Sequence, residues 1–154
     1  TIYSKSITMC KAKIKKMGSF LQFFTGGGVA AITLMPFGIY MKEKYLTDIR
    51  MTNHEKIHWA QQLEMFVTGL IIAIIVVGIL LATKIFSLWL LISIAFPFLF
   101  FYLWYVIEWI IRIFVNGSEA YRSLSHEREA YDNDDNLHYL ETRKHFAWLK
   151  RIFN

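Results

Sequence analysis

The chain has 154 residues, the size of one compact domain, and carries a net charge of +5 with a pI near 9.3. Hydrophobic residues make up 55% and charged residues only 19%, with a mean hydropathy of +0.35, a balance that favours a membrane protein over a soluble one. Its one cysteine, Cys10, excludes an internal disulfide.

The N-terminal arm carries Lys5, Lys11, Lys13, Lys15 and Lys16. Lysines beside a membrane bind anionic headgroups or fix topology, so no nucleic-acid partner is expected. A charge-free run follows from Met17 to Met41. By length it could cross a bilayer, but three successive glycines, Gly26 to Gly28, are costly in a helix interior, and Pro36 and Gly38 follow. Residues 1–41 are therefore expected to form a basic, membrane-surface segment leading into extended structure, with an interfacial helix also compatible. Ile39, Met41, Glu43 and Tyr45 alternate with Tyr40, Lys42, Lys44 and Leu46 between turn residues at Pro36–Gly38 and Thr47–Asp48. This predicts one or two short strands between residues 30 and 51.

Residues 42–65 are expected to hold a strand and then a helix capped by Thr52 or Asn53. That helix carries "NHEKIHWAQQLE", residues 53 to 64. His54 and His58, at i and i+4, share one helix face, where two neutral imidazoles can reach one zinc ion, Zn2+. Glu55 lies about 100° further round, placed to take a proton from a zinc-bound water. Thr52 to Glu55 also has the spacing of a capping box, in which Glu55 would only satisfy a backbone N–H.

No helix breaker intervenes before Gly69, so the motif helix is expected to run on into the charge-free residues 65–83. A second charge-free run covers 85–107, and each is long enough to cross a hydrocarbon core of roughly 30 Å. Residues 66–107 read as a transmembrane hairpin turning at "ATKI", with Pro97 placed to kink its second helix and Trp104, Tyr105 and Trp109 at its far interface. The alternative is a buried helix pair in a soluble bundle. Small residues at Thr68, Gly69, Ala73 and Gly78 allow close helix approach. The basic residues before residue 17, between 42 and 64 and after Glu108 place all three regions on one side, the cytoplasmic one by the positive-inside rule. An even number of crossings follows, so the Met17–Met41 run stays out of the bilayer.

Residues 108–154 are expected to return a third ligand and end in an amphipathic helix. Asn116–Gly117 can stop the membrane helix and Ser118 can cap a new one carrying Glu119, Glu127 and Glu129. Glu127 and Glu129 are the leading third ligands, ahead of His126 and Glu64; a solvated helix in which these carboxylates pair with Arg122 and Arg128 is the alternative. The last segment, with Leu137, Leu140, Phe146, Leu149 and Phe153, reads as an amphipathic helix packing on the domain or lying in the interface, and its His138 and His145 not as a second metal site.

His54-Glu55-Lys56-Ile57-His58, two membrane helices and then Glu127-Arg128-Glu129-Ala130 resemble the gluzincin metallopeptidases, HExxH followed by an ExxA helix. The arrangement is most similar to the membrane-embedded CAAX-processing and HtpX-like peptidases, over roughly residues 38 to 135. The resemblance implies a mainly α membrane protein whose hairpin is inserted between the two helices of a small gluzincin-like α+β core. Aligning Ala130 with the motif implies zinc on His54, His58 and Glu127, with Glu129 the alternative, and Glu55 as general base. The family aspartate would fall at Tyr131, one residue before Asp132, so the match is incomplete there. By the same analogy, residues 38 to 46 would hold a peptide substrate as an added strand.

The expected function is a zinc-dependent metallopeptidase acting on peptides or membrane-protein segments close to the bilayer. It would sit in a bacterial-type inner membrane with its site facing the cytoplasm. The alternative is a catalytically inactive zincin-like subunit that serves as scaffold in a larger membrane complex.

Overall fold

A computed structural model describes residues 12–26, 28–84 and 88–153. Lys5, Cys10 and Lys11 of the basic arm, and Ile85 of the expected turn, lie outside them. The protein is mainly helical, with two long apolar helices and a small sheet of three strands.

The Met17–Met41 run is not a third span. It holds a six-residue helix, α1 (Ser19–Phe24), and two strands, β2 (Ala31–Leu34) and β3 (Gly38–Met41). Gly26, at φ +65°, turns the chain out of α1; Gly27 of the glycine cluster lies outside the described residues. A strand absent from the sequence reading, β1 (Ile14–Lys16), pairs parallel to β3, while β2 pairs antiparallel to β3 on its other side. The order β1-β3-β2 makes β3 the centre of the sheet. Residues 38–46 therefore cannot accept an added peptide strand: β3 is paired on both edges and Glu43–Tyr45 is a 3-10 turn. The unpaired edges belong to the outer strands β1 and β2, and the β2 edge is the one beside Glu55. Gly38, at φ +131°, is required where β3 meets β1, because a Cβ there would stand 2.5 Å from the Lys13 carbonyl oxygen. Ile39 and Met41 point inward and pack with Ala31 against Trp59.

The helix that carries the motif is one unbroken element, α2 (Ile49–Ala82), 34 residues long. Its cap is Asp48, whose carboxylate accepts from the Met51 N–H at 3.0 Å. Thr52 and Asn53 are thus inside the helix, and Glu55 cannot be the partner in a capping box. Asn53 instead reaches across to donate to the carbonyl oxygens of Asn133, Asp134 and Asn136 at 3.0–3.2 Å, satisfying acceptors left open at a helix C-terminus. After Met65 the helix is apolar and exposed on its outer face. The second long helix, α3 (Leu88–Asn116), packs back along it and buries Ser93, Pro97, Phe101 and Glu108. Both helices are long and apolar enough to cross a membrane.

At the far end of α3 the chain makes a 3-10 turn at Gly117–Glu119 and enters α4 (Ser125–Asn133). Ser118 does not cap this helix. Glu108 of α3 caps it in trans, accepting from the Ser125 N–H at 2.9 Å and the Ser125 hydroxyl at 2.6 Å. The C-terminal segment is not one amphipathic helix. It consists of α5 (Tyr139–Thr142), a reversal at Phe146 with φ +56°, and a 3-10 turn over Ala147–Arg151. Buried Arg143 and the Phe146 N–H both bond Glu64 and draw the chain inward, so Leu137 and Phe153 are exposed while Trp148 is buried.

The hairpin helices approach closely at Gly69, where an added Cβ would lie 3.0 Å from Pro97 Cα and 3.2 Å from Phe100 Cβ; around Gly78 the space is open. Gly69→Leu is expected to destabilise the protein by about 1–3 kcal/mol through overpacking. Gly78→Leu should leave the midpoint of detergent-phase thermal unfolding almost unmoved, and the two midpoints measured side by side check this.

Candidate metal centre

His54 and His58 stand one helical turn apart on the face of α2 that meets α4, and both are buried, as is Glu127 on α4. The two Nε2 atoms lie 3.1 Å apart. The Glu127 carboxylate faces them, Oε2 3.5 Å from His54 Nε2 and Oε1 3.4 Å from His58 Nε2. One ligand atom from each residue lies within 4.8 Å of the others, and the group could hold a metal ion.

The outer nitrogens of both rings meet acceptors. His58 Nδ1 is 2.8 Å from Gln61 Oε1, and His54 Nδ1 is 3.5 Å from Asp134 Oδ2. A proton held on each Nδ1 leaves both Nε2 lone pairs directed at Glu127. Tyr105 of α3 and Tyr121 each donate to Glu127 Oε1 at 2.9 Å, while Oε2 is buried without a hydrogen-bond partner. Electron pairs converging in a dry interior repel unless a positive charge sits among them.

Protonation follows the same field. Burial pushes the His58 imidazole down, but the facing Glu127 carboxylate outweighs it and raises the pKa to about 9. Burial works to raise Glu127, yet His58 and His54 hold its carboxyl well below the usual carboxylate range. Both groups lie beyond the apolar part of the hairpin. A divalent cation answers the same need, and two imidazole nitrogens with one carboxylate oxygen are a donor set suited to it.

Glu55 is buried beside this group, and its Oε2 accepts from Thr33 Oγ1 of β2 at 2.7 Å. Ala31, Thr33, Glu55, His58, Tyr105 and Glu127 help line a cavity of about 250 Å³ between β2 and α3. Gln62 ties strand to helix, its amide donating to the Thr33 carbonyl at 2.8 Å and accepting from the Met35 N–H at 2.9 Å.

The other expected ligands lie elsewhere. Glu129 is two residues on from Glu127, about 200° round α4, and is engaged by Arg143, the Tyr139 hydroxyl and Gln61. Glu64 is likewise paired with Arg143. His126 stacks on Trp148 with ring centroids 4.2 Å apart, and burial together with nearby His58 lowers its pKa to about 3. Sequence reasoning missed Gln61, Asp134, Tyr105 and Tyr121. Gln61 follows His58 by three, and Asp134 follows Glu127 by seven, two full turns, so both shared a readable face. Tyr105 read only as an interfacial aromatic, and Tyr121 sat in the polar stretch 117–123 with no motif around it. No family model, curated protein or solved structure matches the chain.

The folded pKa of His58, about 9, exceeds its ordinary value of 6.5. Its ion pair therefore stabilises the metal-free protein fully below pH 6.5 and is lost as pH rises through 9. His126, depressed to about 3, adds no slope in that window. Thermal stability of the metal-free protein is expected to fall between pH 6.5 and 9 while zinc affinity rises, because less proton is displaced. Thermal melts and competition with a chromophoric chelator check the two slopes, both of which should shrink in Glu127→Gln.

Proposed function

We propose that this protein is a zinc-dependent metallopeptidase of the membrane-embedded gluzincin type, cutting peptide bonds close to the bilayer. The observation that carries the reading is the meeting of Glu127 with His54 and His58 across the hairpin, in a buried group that could hold a metal ion. His54, His58 and Glu127 would hold Zn2+, and the bound metal would supply a water whose pKa is lowered to about 7. Glu55 would serve as the general base, taking a proton from the attacking water and returning it to the leaving amine. Thr33 orients the Glu55 carboxylate through its hydroxyl. Antiparallel register directs the N–H and C=O groups of Ala31 and the N–H of Thr33 away from β3, the Thr33 C=O being taken by Gln62, and an extended peptide added to that edge at Ala31 would run beside Glu55. Lysines and arginines at the motif end of the hairpin support a cytoplasm-facing site in a bacterial-type inner membrane.

A second reading, a catalytically silent subunit of a larger membrane complex, is favoured by the far end of α3. Phe114 and Val115 are 85% and 73% exposed there, past the level of Tyr105. Purified protein and its Glu55→Gln variant separate the two. The peptidase reading expects equal zinc content in both and a loss of cleavage of about 10²- to 10⁴-fold in the variant, assayed on unstructured peptides and membrane-protein segments. Zinc bound without any Glu55-dependent cleavage would leave the subunit reading.

A further inference from the structure

From the chain of buried contacts behind His58, we infer that Arg143 is a positioning residue for the metal centre, acting through Glu129 and Gln61. Arg143 comes from the C-terminal segment, 85 residues beyond His58 in sequence, and its side chain is 5% exposed. It grips the Glu129 carboxylate through Nε, with a second contact from its other nitrogen to Oε2 at 3.2 Å, and it also pairs with Glu64. Glu129 and Gln61 are both 0% exposed.

Gln61 is the decisive link because an amide has two unlike ends. Its nitrogen donates to Glu129 Oε2 at 3.1 Å and to the His126 carbonyl oxygen at 3.0 Å. A carboxylate in an ion pair and a backbone carbonyl offer only acceptors, so this end of Gln61 must be the NH2. The oxygen is then fixed toward His58 Nδ1 at 2.8 Å, and His58 must donate from that nitrogen. The lone pair is left on Nε2, the atom that faces Glu127. Arg143 thereby selects the ring orientation and tautomer that make His58 a ligand. Without that grip only the His126 carbonyl still opposes rotation of the Gln61 amide, and a rotated amide would present NH2 to His58 and put the ring proton on the ligand nitrogen.

The inference rests on the metal reading of the site and is tested on affinity rather than turnover. Zinc dissociation constants are measured by chelator competition for the full-length protein, with the d–d spectrum of Co2+ as a geometric signature. Gln61→Leu and Arg143→Met are each expected to weaken zinc binding about 10- to 100-fold, the range of outer-shell substitutions at metal sites. The double variant should be no weaker than the worse single one, because both cut the same chain. Arg143→Lys should recover most of the loss. Where Arg143→Met does not fold, Gln61→Leu and Glu129→Gln carry the test with the same expected loss. Variants that lower the melting temperature but bind zinc within twofold of wild type overturn the inference, as do single losses that multiply in the double variant. A wild-type protein that binds no zinc removes this inference and the metallopeptidase reading together; wild-type zinc binding with undiminished variants removes this one alone.

Discussion

A carboxylate and two imidazoles buried within 4.8 Å of one another need a proton or a metal ion among them, and the group could hold the latter. Out of water, the converging lone pairs of Glu127, His54 and His58 cost several kcal/mol unless protons or a metal ion lie among them. Much of the surrounding structure serves to hold that unfavourable convergence in place. Glu108 caps α4 from α3, Asn53 closes the other end of α4 from α2, and Tyr105 and Tyr121 hold one oxygen of Glu127. All but the Tyr121 contact join different helices, so the site exists only when both long helices and the returning helix are docked.

The hairpin makes that docking possible. α2 is one unbroken helix from the motif to its apolar end, which fixes His54 and His58 relative to a segment long and apolar enough to cross a membrane. Close approach at Gly69 and Pro97 sets the spacing to α3, and α3 then delivers Tyr105 and Glu108 at the level of the histidines. The small sheet completes the enclosure by placing Thr33 on Glu55. The long apolar faces and the site geometry are thus properties of the same two helices.

What could be read from the sequence was whatever is periodic or local. Charge-free runs of spanning length marked the hairpin, the i, i+4 histidines marked one helix face, and the ExxA pattern singled out Glu127. Contacts over long sequence separation were not legible. β1 is three exposed residues, Ile-Lys-Lys, with no strand signature of its own, and it forms because β3 offers an edge. Asp48 displaced Thr52 and Asn53 as cap because Asn53 was needed by the carbonyls after α4. The C-terminal segment had helical periodicity, yet two buried ion pairs on Arg143 and the Phe146 contact to Glu64 broke it. In each case a tertiary bond worth more than local propensity decided the outcome.

The most direct measurement is X-ray absorption at the zinc edge of the loaded protein and of Glu127→Ala. The account predicts a first shell of two imidazole nitrogens and low-coordinate oxygen at about 2.0–2.2 Å, with an oxygen contribution that changes when Glu127 is removed. A shell of water oxygens alone, or a spectrum indifferent to Glu127, would contradict the convergence of α4 with the two histidines of α2.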